Sequence, residues 1–204
     1  MLKLSIKNLA IIALAGVNIA AVSLPMMASA DTQTTNTTVN LVVNPVIISY
    51  SSGPTVTMGA ITPDATGKQS TASDTVTADT NDTAGYTVTL KETSATLTGM
   101  IAGANTITTG SGTPAAPAAL ANNTWGWRVD SLATFGAGPG GVLSSAAPSA
   151  LTYAGIPANA SPFTIKTTAS TGSVSTTVWY SARVSSSQPY GTYSTTVTYT
   201  LTTN

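Results

Sequence analysis

The chain has 204 residues with 7% charged, 6% aromatic and 42% hydrophobic side chains; seven Lys and Arg balance seven Asp and Glu, and neither His nor Cys occurs. These absences exclude His-based triads, thiol nucleophiles, imidazole or thiolate metal sites and any disulfide framework. No basic cluster is present to neutralise phosphates, so no nucleic-acid partner is expected.

Lys3 and Lys7 precede an apolar run from Leu9 to Val22, followed by Pro25 and Ala28-Ser29-Ala30. This is the layout of a secretory signal peptide over residues 1–30, cut between Ala30 and Asp31. The apolar run is too short to span a bilayer. Residues 31–204 are then expected to form a single exported domain, with no membrane span after cleavage and no Leu-Pro-x-Thr-Gly sorting signal. Their five basic residues against seven acids leave a slight negative charge, and the polar surface falls to Ser, Thr, Asn and Gln.

Strand patterns follow in chain order. Thr37–Asn44 alternates Val39, Leu41 and Val43, and Val46–Tyr50 continues after Pro45. Thr55–Gly59, Asp74–Asp79, Gly85–Glu92, Thr124–Asp130, Phe163–Thr167 and Ser173–Val184 are the next expected strands, each a period-2 pattern bounded by turn residues. A last strand puts Tyr193, Thr195, Val197, Tyr199 and Leu201 on one face and hydroxyls on the other. No helix pattern competes. Gly110–Asn123 and Phe135–Pro162, rich in Gly, Ala and Pro, read as two long loop insertions. The expected fold is all-β: a two-sheet antiparallel sandwich with Greek-key, immunoglobulin-like connections.

Chemistry has few candidates. Asp64, Asp74, Asp79, Asp82 and Asp130 stand beside Gly, Thr or Asn and read as turn residues, so no catalytic pair is expected. Asp74, Asp79, Asn81 and Asp82 are oxygen donors of the kind Ca²⁺ takes, but their spacing fits solvated strand-turn caps better, and neither metal nor cofactor is expected. Trp125 and Trp127 share a face with Val129, which is core company. Trp179 falls opposite Val174, Val178, Tyr180, Ala182 and Val184, on a polar face with Ser173, Thr177, Ser181 and Arg183. It is either covered by a loop or a contact for a ligand or neighbouring subunit, and it is the candidate partner contact.

The run Met58–Glu92 and the closing "PYGTYSTTVTYTLTTN" resemble the WxL-type surface domains of Gram-positive bacteria, which bind peptidoglycan non-covalently and carry two aromatic-x-aliphatic motifs. The matching positions are Tyr86 and Val88 in the first motif and Tyr199 and Leu201 in the second, Tyr standing where that family has Trp. Residues i and i+2 of a strand point the same way, so each motif makes one apolar patch. The resemblance implies a secreted, non-catalytic adhesion module on the cell surface whose partner is a cell wall polymer or a surface protein. The same ending is also similar to the terminal strand of spore-coat-U-type and fimbrial subunits, which self-associate by strand complementation. A donor strand here would run Val39–Tyr50.

Overall fold

Alternating Thr, Val and Tyr suit a pleated, half-buried surface, and the computed structural model shows ten strands among its described residues, which are 38, 40–44, 46–51, 54–95, 99–136, 141–169 and 171–204. They are β1 (Ile47–Ser51), β2 (Lys68–Thr80), β3 (Tyr86–Glu92), β4 (Met100–Ala102), β5 (Asn105–Thr109), β6 (Thr124–Val129), β7 (Leu143–Ala146), β8 (Phe163–Thr168), β9 (Gly172–Val184) and β10 (Val197–Thr203). A single 3-10 turn, Ala133–Phe135, is the one helical element described. All strands belong to one compact unit, Val43–Asn204. The other unit, Met1–Val42, is described only at Thr38, Asn40, Leu41 and Val42, none of them in a strand. The expected leader 1–30, its cut between Ala30 and Asp31, and part of the expected strand Thr37–Asn44 lie outside the described residues.

The strands form two sheets. The larger runs β1-β2-β9-β6-β5-β4, with β7 also pairing β2; the smaller runs β10-β3-β8. The fold is therefore all-β and two-layered, as its composition leads one to expect. It departs from a purely antiparallel pattern at β5 and β6, which pair in parallel through Thr108↔Thr124 and Thr109↔Trp125. The spine is β2 against β9, thirteen residues each, in unbroken register from Lys68↔Val184 to Thr80↔Gly172. The larger sheet curls until its edge strand β4 meets the chain just ahead of β10: Ile101 N–H donates to Ser194 O at 2.9 Å and Ser194 N–H returns the bond at 3.1 Å.

Between the sheets lie Val76, Ala78, Trp125, Trp127, Val129, Val178 and Tyr180 from one side and Tyr86, Val88, Leu90 and Ile165 from the other. Period-2 alternation accounts for this set almost residue by residue, since one parity of each strand must face the layer that excludes water. Trp127 is fully buried, edge-on to Phe135 at 5.4 Å between ring centres and tilted against Phe163 at 5.7 Å.

Four strand expectations need correction. The described residues of Thr37–Asn44 (38 and 40–44) make no strand. Thr55–Gly59 makes no strand; Val56 and Met58 do turn inward onto the core, so the alternation is real, but no neighbouring backbone completes a ladder there. β2 starts at Lys68, six residues before the expected Asp74, because β9 offers a partner along the whole length. The last strand starts at Val197 rather than Tyr193, the preceding segment bonding to β4 instead. The short strands β4, β5 and β7 were not expected at all.

The two Gly/Ala/Pro-rich stretches are joined to each other rather than hanging free. Ala118 and Tyr153 exchange backbone hydrogen bonds at 3.0 and 2.8 Å, and Ala154 does the same with Trp127 at 2.9 Å both ways. Small residues make this contact possible. A Cβ on Gly126 would stand 2.5 Å from Ala154 O, and one on Gly112 would stand 2.2 Å from Tyr153 O, both inside any tolerable separation. The second stretch also contributes β7 to the larger sheet. Among the described residues no helix is long and apolar enough to cross a membrane, which says nothing about strands.

Candidate functional site

The residues singled out by sequence fall into an outer face and an inner core. On the outer face of the larger sheet, Trp179 of β9 sits between Ser73 of β2 and Arg128 of β6. The indole is half-buried, and its Nε1–H donates to Asp130 Oδ2 at 2.8 Å. The other oxygen of that carboxylate accepts from Arg128 Nε at 3.0 Å. Arg128 is fully buried, with neither Nη atom hydrogen-bonded. Desolvating a guanidinium is costly unless a counter-charge holds it, so Asp130 is fixed by Arg128 and in turn fixes the plane of the Trp179 ring. The result is a preset flat ring beside the hydroxyls of Ser73, Thr75 and Thr177. Asp130 does stand in the turn after β6, as expected, but its carboxylate is the clamp of this cluster rather than a solvated cap.

The other half of that face is covered. Gln69, 2% exposed, donates to Ser181 Oγ at 2.8 Å and Tyr153 Oη at 3.2 Å, while its carbonyl accepts from Ser149 N–H at 2.9 Å. Arg183 donates to Leu120 O and Thr66 O. Ser181, grouped with Trp179 by parity, is thereby buried, while Arg183 is tied to the first loop stretch and to Thr66 and stays partly exposed.

The motif positions are brought together, and in the core. β10 pairs with β3 so that Leu201 lies opposite Val88 and Tyr199 opposite Leu90. Tyr86 and Val88 are buried at 0% and 2% exposure, and Tyr199 and Leu201 pack against the same cluster. The two patches meet as the i, i+2 geometry implies, and their work in this chain is packing.

Tyr199 also bridges the layers: its hydroxyl lies 2.6 Å from that of Tyr180 on β9, with Asp74 beside the pair. Burial, then the neighbouring phenol, pushes the Tyr180 hydroxyl well above the ordinary tyrosine range, and burial does the same to Tyr199. A raised folded-state value favours the fold below the unfolded pKa of about 10 and loses that contribution as pH climbs beyond it. We expect denaturant stability to fall from pH 9 to 11, and Tyr199→Phe to flatten the fall by up to about 1.4 kcal/mol per pH unit, one proton's worth. An unchanged slope would show that the pair does not govern alkaline unfolding.

The acidic candidates separate. Asp74 is no turn residue: it stands mid-strand in β2, opposite Val178, 4% exposed on the core face. Asp79 is exposed on β2, whereas Asp82 closes a turn, its Oδ1 accepting from Ala84 N–H at 2.9 Å. Asn81 accepts from Val46 N–H at 2.7 Å and donates to Asn44 O. Asp64 pairs with Lys68 at 3.0 Å, and the Thr66 hydroxyl, then Lys68, hold its carboxyl below the usual range. Among the described residues no three His, Cys, Asp or Glu side chains converge as metal ligands. Asp74 was read as a turn residue and Glu92 was not singled out, yet both are buried and each continues an apolar face, Glu92 following Tyr86, Val88 and Leu90.

Against protein-family models, curated proteins and solved structures, the chain shows no match.

Proposed function

We propose that this protein is a secreted, non-catalytic β-sandwich of the cell surface that engages a cell wall polymer or other envelope partner non-covalently, with Trp179 as the contact. The observation that carries this reading is the fixed indole: a half-buried ring, its N–H clamped by Asp130, on a face of hydroxyls. Such a ring meets the apolar face of a sugar at little cost in conformational freedom, while the flanking Ser and Thr serve its hydroxyls. The leader over residues 1–30 and the resemblance to WxL-type domains support export and wall association. Repeated crossings between the sheets, from β2 to β3, β8 to β9 and β9 to β10, support a Greek-key winding of immunoglobulin-like kind.

Co-sedimentation with purified Gram-positive cell walls tests the proposal. The wild-type protein should pellet and be released by chaotrope, and Trp179→Ala should lower retention at least about tenfold, the effect of a central aromatic contact. Because the ring is only half-buried, that variant should lose no more than about 2 kcal/mol of stability. Equal retention of the two proteins rejects Trp179 as the contact.

A specific observation favours a second reading, self-assembly by strand complementation. Leu41, Val42 and Val43 are 86%, 83% and 72% exposed, three consecutive apolar side chains of the expected donor segment. Apolar runs of this kind add a strand to a neighbour's open edge. Ladders resistant to SDS, lost when residues 31–44 are removed, would establish it over wall binding.

A further inference from the structure

The direction of the main-chain hydrogen bonds along β10 follows from two contacts that continue its ladder with β3. Thr93 N–H donates to Thr196 O at 3.0 Å and Asn204 N–H to Gly85 O at 3.2 Å, and the register between them is unbroken. In an antiparallel pair, residues that exchange bonds alternate with residues that do not. Thr198, Thr200 and Thr202 therefore turn their N–H and C=O toward β3, and Val197, Tyr199, Leu201 and Thr203 turn theirs to the outer edge. Among the described residues β10 pairs with β3 alone, and no backbone bond reaches those outer groups. β1 comes near β10 but belongs to the other sheet and forms no ladder with it.

The other edge strands carry devices that keep edges from pairing. β1 and β4 are short, five and three residues, and β4 is already bridged to Ser194. β8 carries Lys166 and a bulge between its pairs with Val88 and Thr89. β10 has none of these: it runs seven residues in continuous register, without charge, Pro, Gly or bulge. Its inner side chains are also less covered than those beside it. Tyr86, Val88 and Leu90 on β3 are 0%, 2% and 0% exposed, whereas Val197, Tyr199 and Leu201 are only partly buried. A straight, uncharged row of unpaired main-chain groups next to half-covered apolar side chains fits one kind of partner, another strand.

We propose that this partner is β10 of a second copy, the two strands pairing antiparallel about a two-fold axis at Thr200. In that register Tyr199 faces Leu201 and Val197 faces Thr203, so every outward N–H and C=O finds its counterpart in the other copy. The half-covered Tyr199 and Leu201 of both copies then meet on the inner side, and Thr198, Thr200 and Thr202 meet on the outer side. The lack of charge favours an identical strand, since two copies of β10 bring no like charges together. The exposed segment Leu41–Val43 suits the edge less well, because its apolar residues are consecutive and only one parity of a strand faces the core. An isologous contact closes at two copies. It joins two three-stranded sheets into one of six and does not involve Trp179, which lies on the larger sheet.

Analytical ultracentrifugation of the secreted chain, together with cross-linking, tests this. The wild type should sediment as a dimer. Thr200→Lys sets two ammonium groups face to face on the axis and should weaken dimerisation at least about tenfold. Thr200→Glu should do the same, and an equimolar mixture of the two variants should restore the dimer, which misfolded chains could not do. Because Thr200 is exposed, both variants should melt close to the wild type. The chain has no Cys, so Thr200→Cys reports the register. At a facing pair that exchanges no main-chain bonds the Cβ atoms come close, and mild oxidation should link the two copies, whereas Thr202→Cys, facing Thr198, should not link. A monomeric wild type, a dimer indifferent to both charged variants, or linking through Thr167→Cys on β8 in place of Thr200→Cys overturns the proposal. Loss of the dimer in a folded chain lacking residues 31–44 also overturns it and gives the edge to that segment.

Discussion

Truncation after Pro189 is expected to unfold the domain. β10 supplies seven registered pairs to β3 and is the sole partner of that edge, so its loss leaves the smaller sheet with two strands. It also removes Val197, Tyr199 and Leu201 from the core cluster. At about 1.5–3 kcal/mol for each fully buried large apolar side chain, three of them would come to about 5–9 kcal/mol; being partly buried they contribute less, still a large share of the stability of an ordinary domain. Tyr180 would lose its hydroxyl partner, and the bared edge of β3 would invite aggregation. Comparing protease resistance of the secreted full and truncated chains checks this. If the truncated chain resists as well as the full one, β10 does not close its own sandwich and belongs to a partner.

Trp127→Ala is the point substitution with the largest expected effect, about 3–5 kcal/mol for deleting a buried indole. The ring fills the space between Phe135 and Phe163, and its Nε1–H donates to Gly155 O at 3.0 Å, so truncation opens a cavity and orphans a carbonyl as well. For a domain of this size that corresponds to a melting temperature lower by about 6–20 °C. Trp179→Ala should lower it far less. Equal losses in the two variants would show that Trp179 is as deeply built into the fold as Trp127 and would remove it from the surface reading.

Much of the fold was legible. The bounds of β3, β6, β8 and β9 lie within a residue of those read from alternation, because each carries two or more inward apolar or aromatic residues at i, i+2 spacing flanked by turn residues. β4 and β7 were not legible: three and four residues long, built from Met, Ile, Ala, Leu and Ser, they show too few repeats to reveal a period. β5 places only Ile107 deep in the core. For the sites, parity placed Trp179 outward and Trp125 and Trp127 inward, but Asp74 was read as a turn residue and Glu92 was passed over, although Val76 at i+2 and Leu90 at i−2 already placed them inside.

What the sequence determined by itself is which side chains share a face, since the two-residue repeat of an extended chain is a property of its covalent geometry. What covers each face was decided only in three dimensions. Parity groups Ser181 and Arg183 with Trp179, yet Ser181 is buried under Gln69, itself tied to Tyr153 84 residues on, Arg183 is bound to Leu120 O, and Trp179 is held by Asp130. Glu92 and Thr195 are 103 residues apart and hydrogen-bond only because β10 returns alongside β3. Burial depends on atoms brought near by the whole chain packing against itself, and no local pattern contains that information.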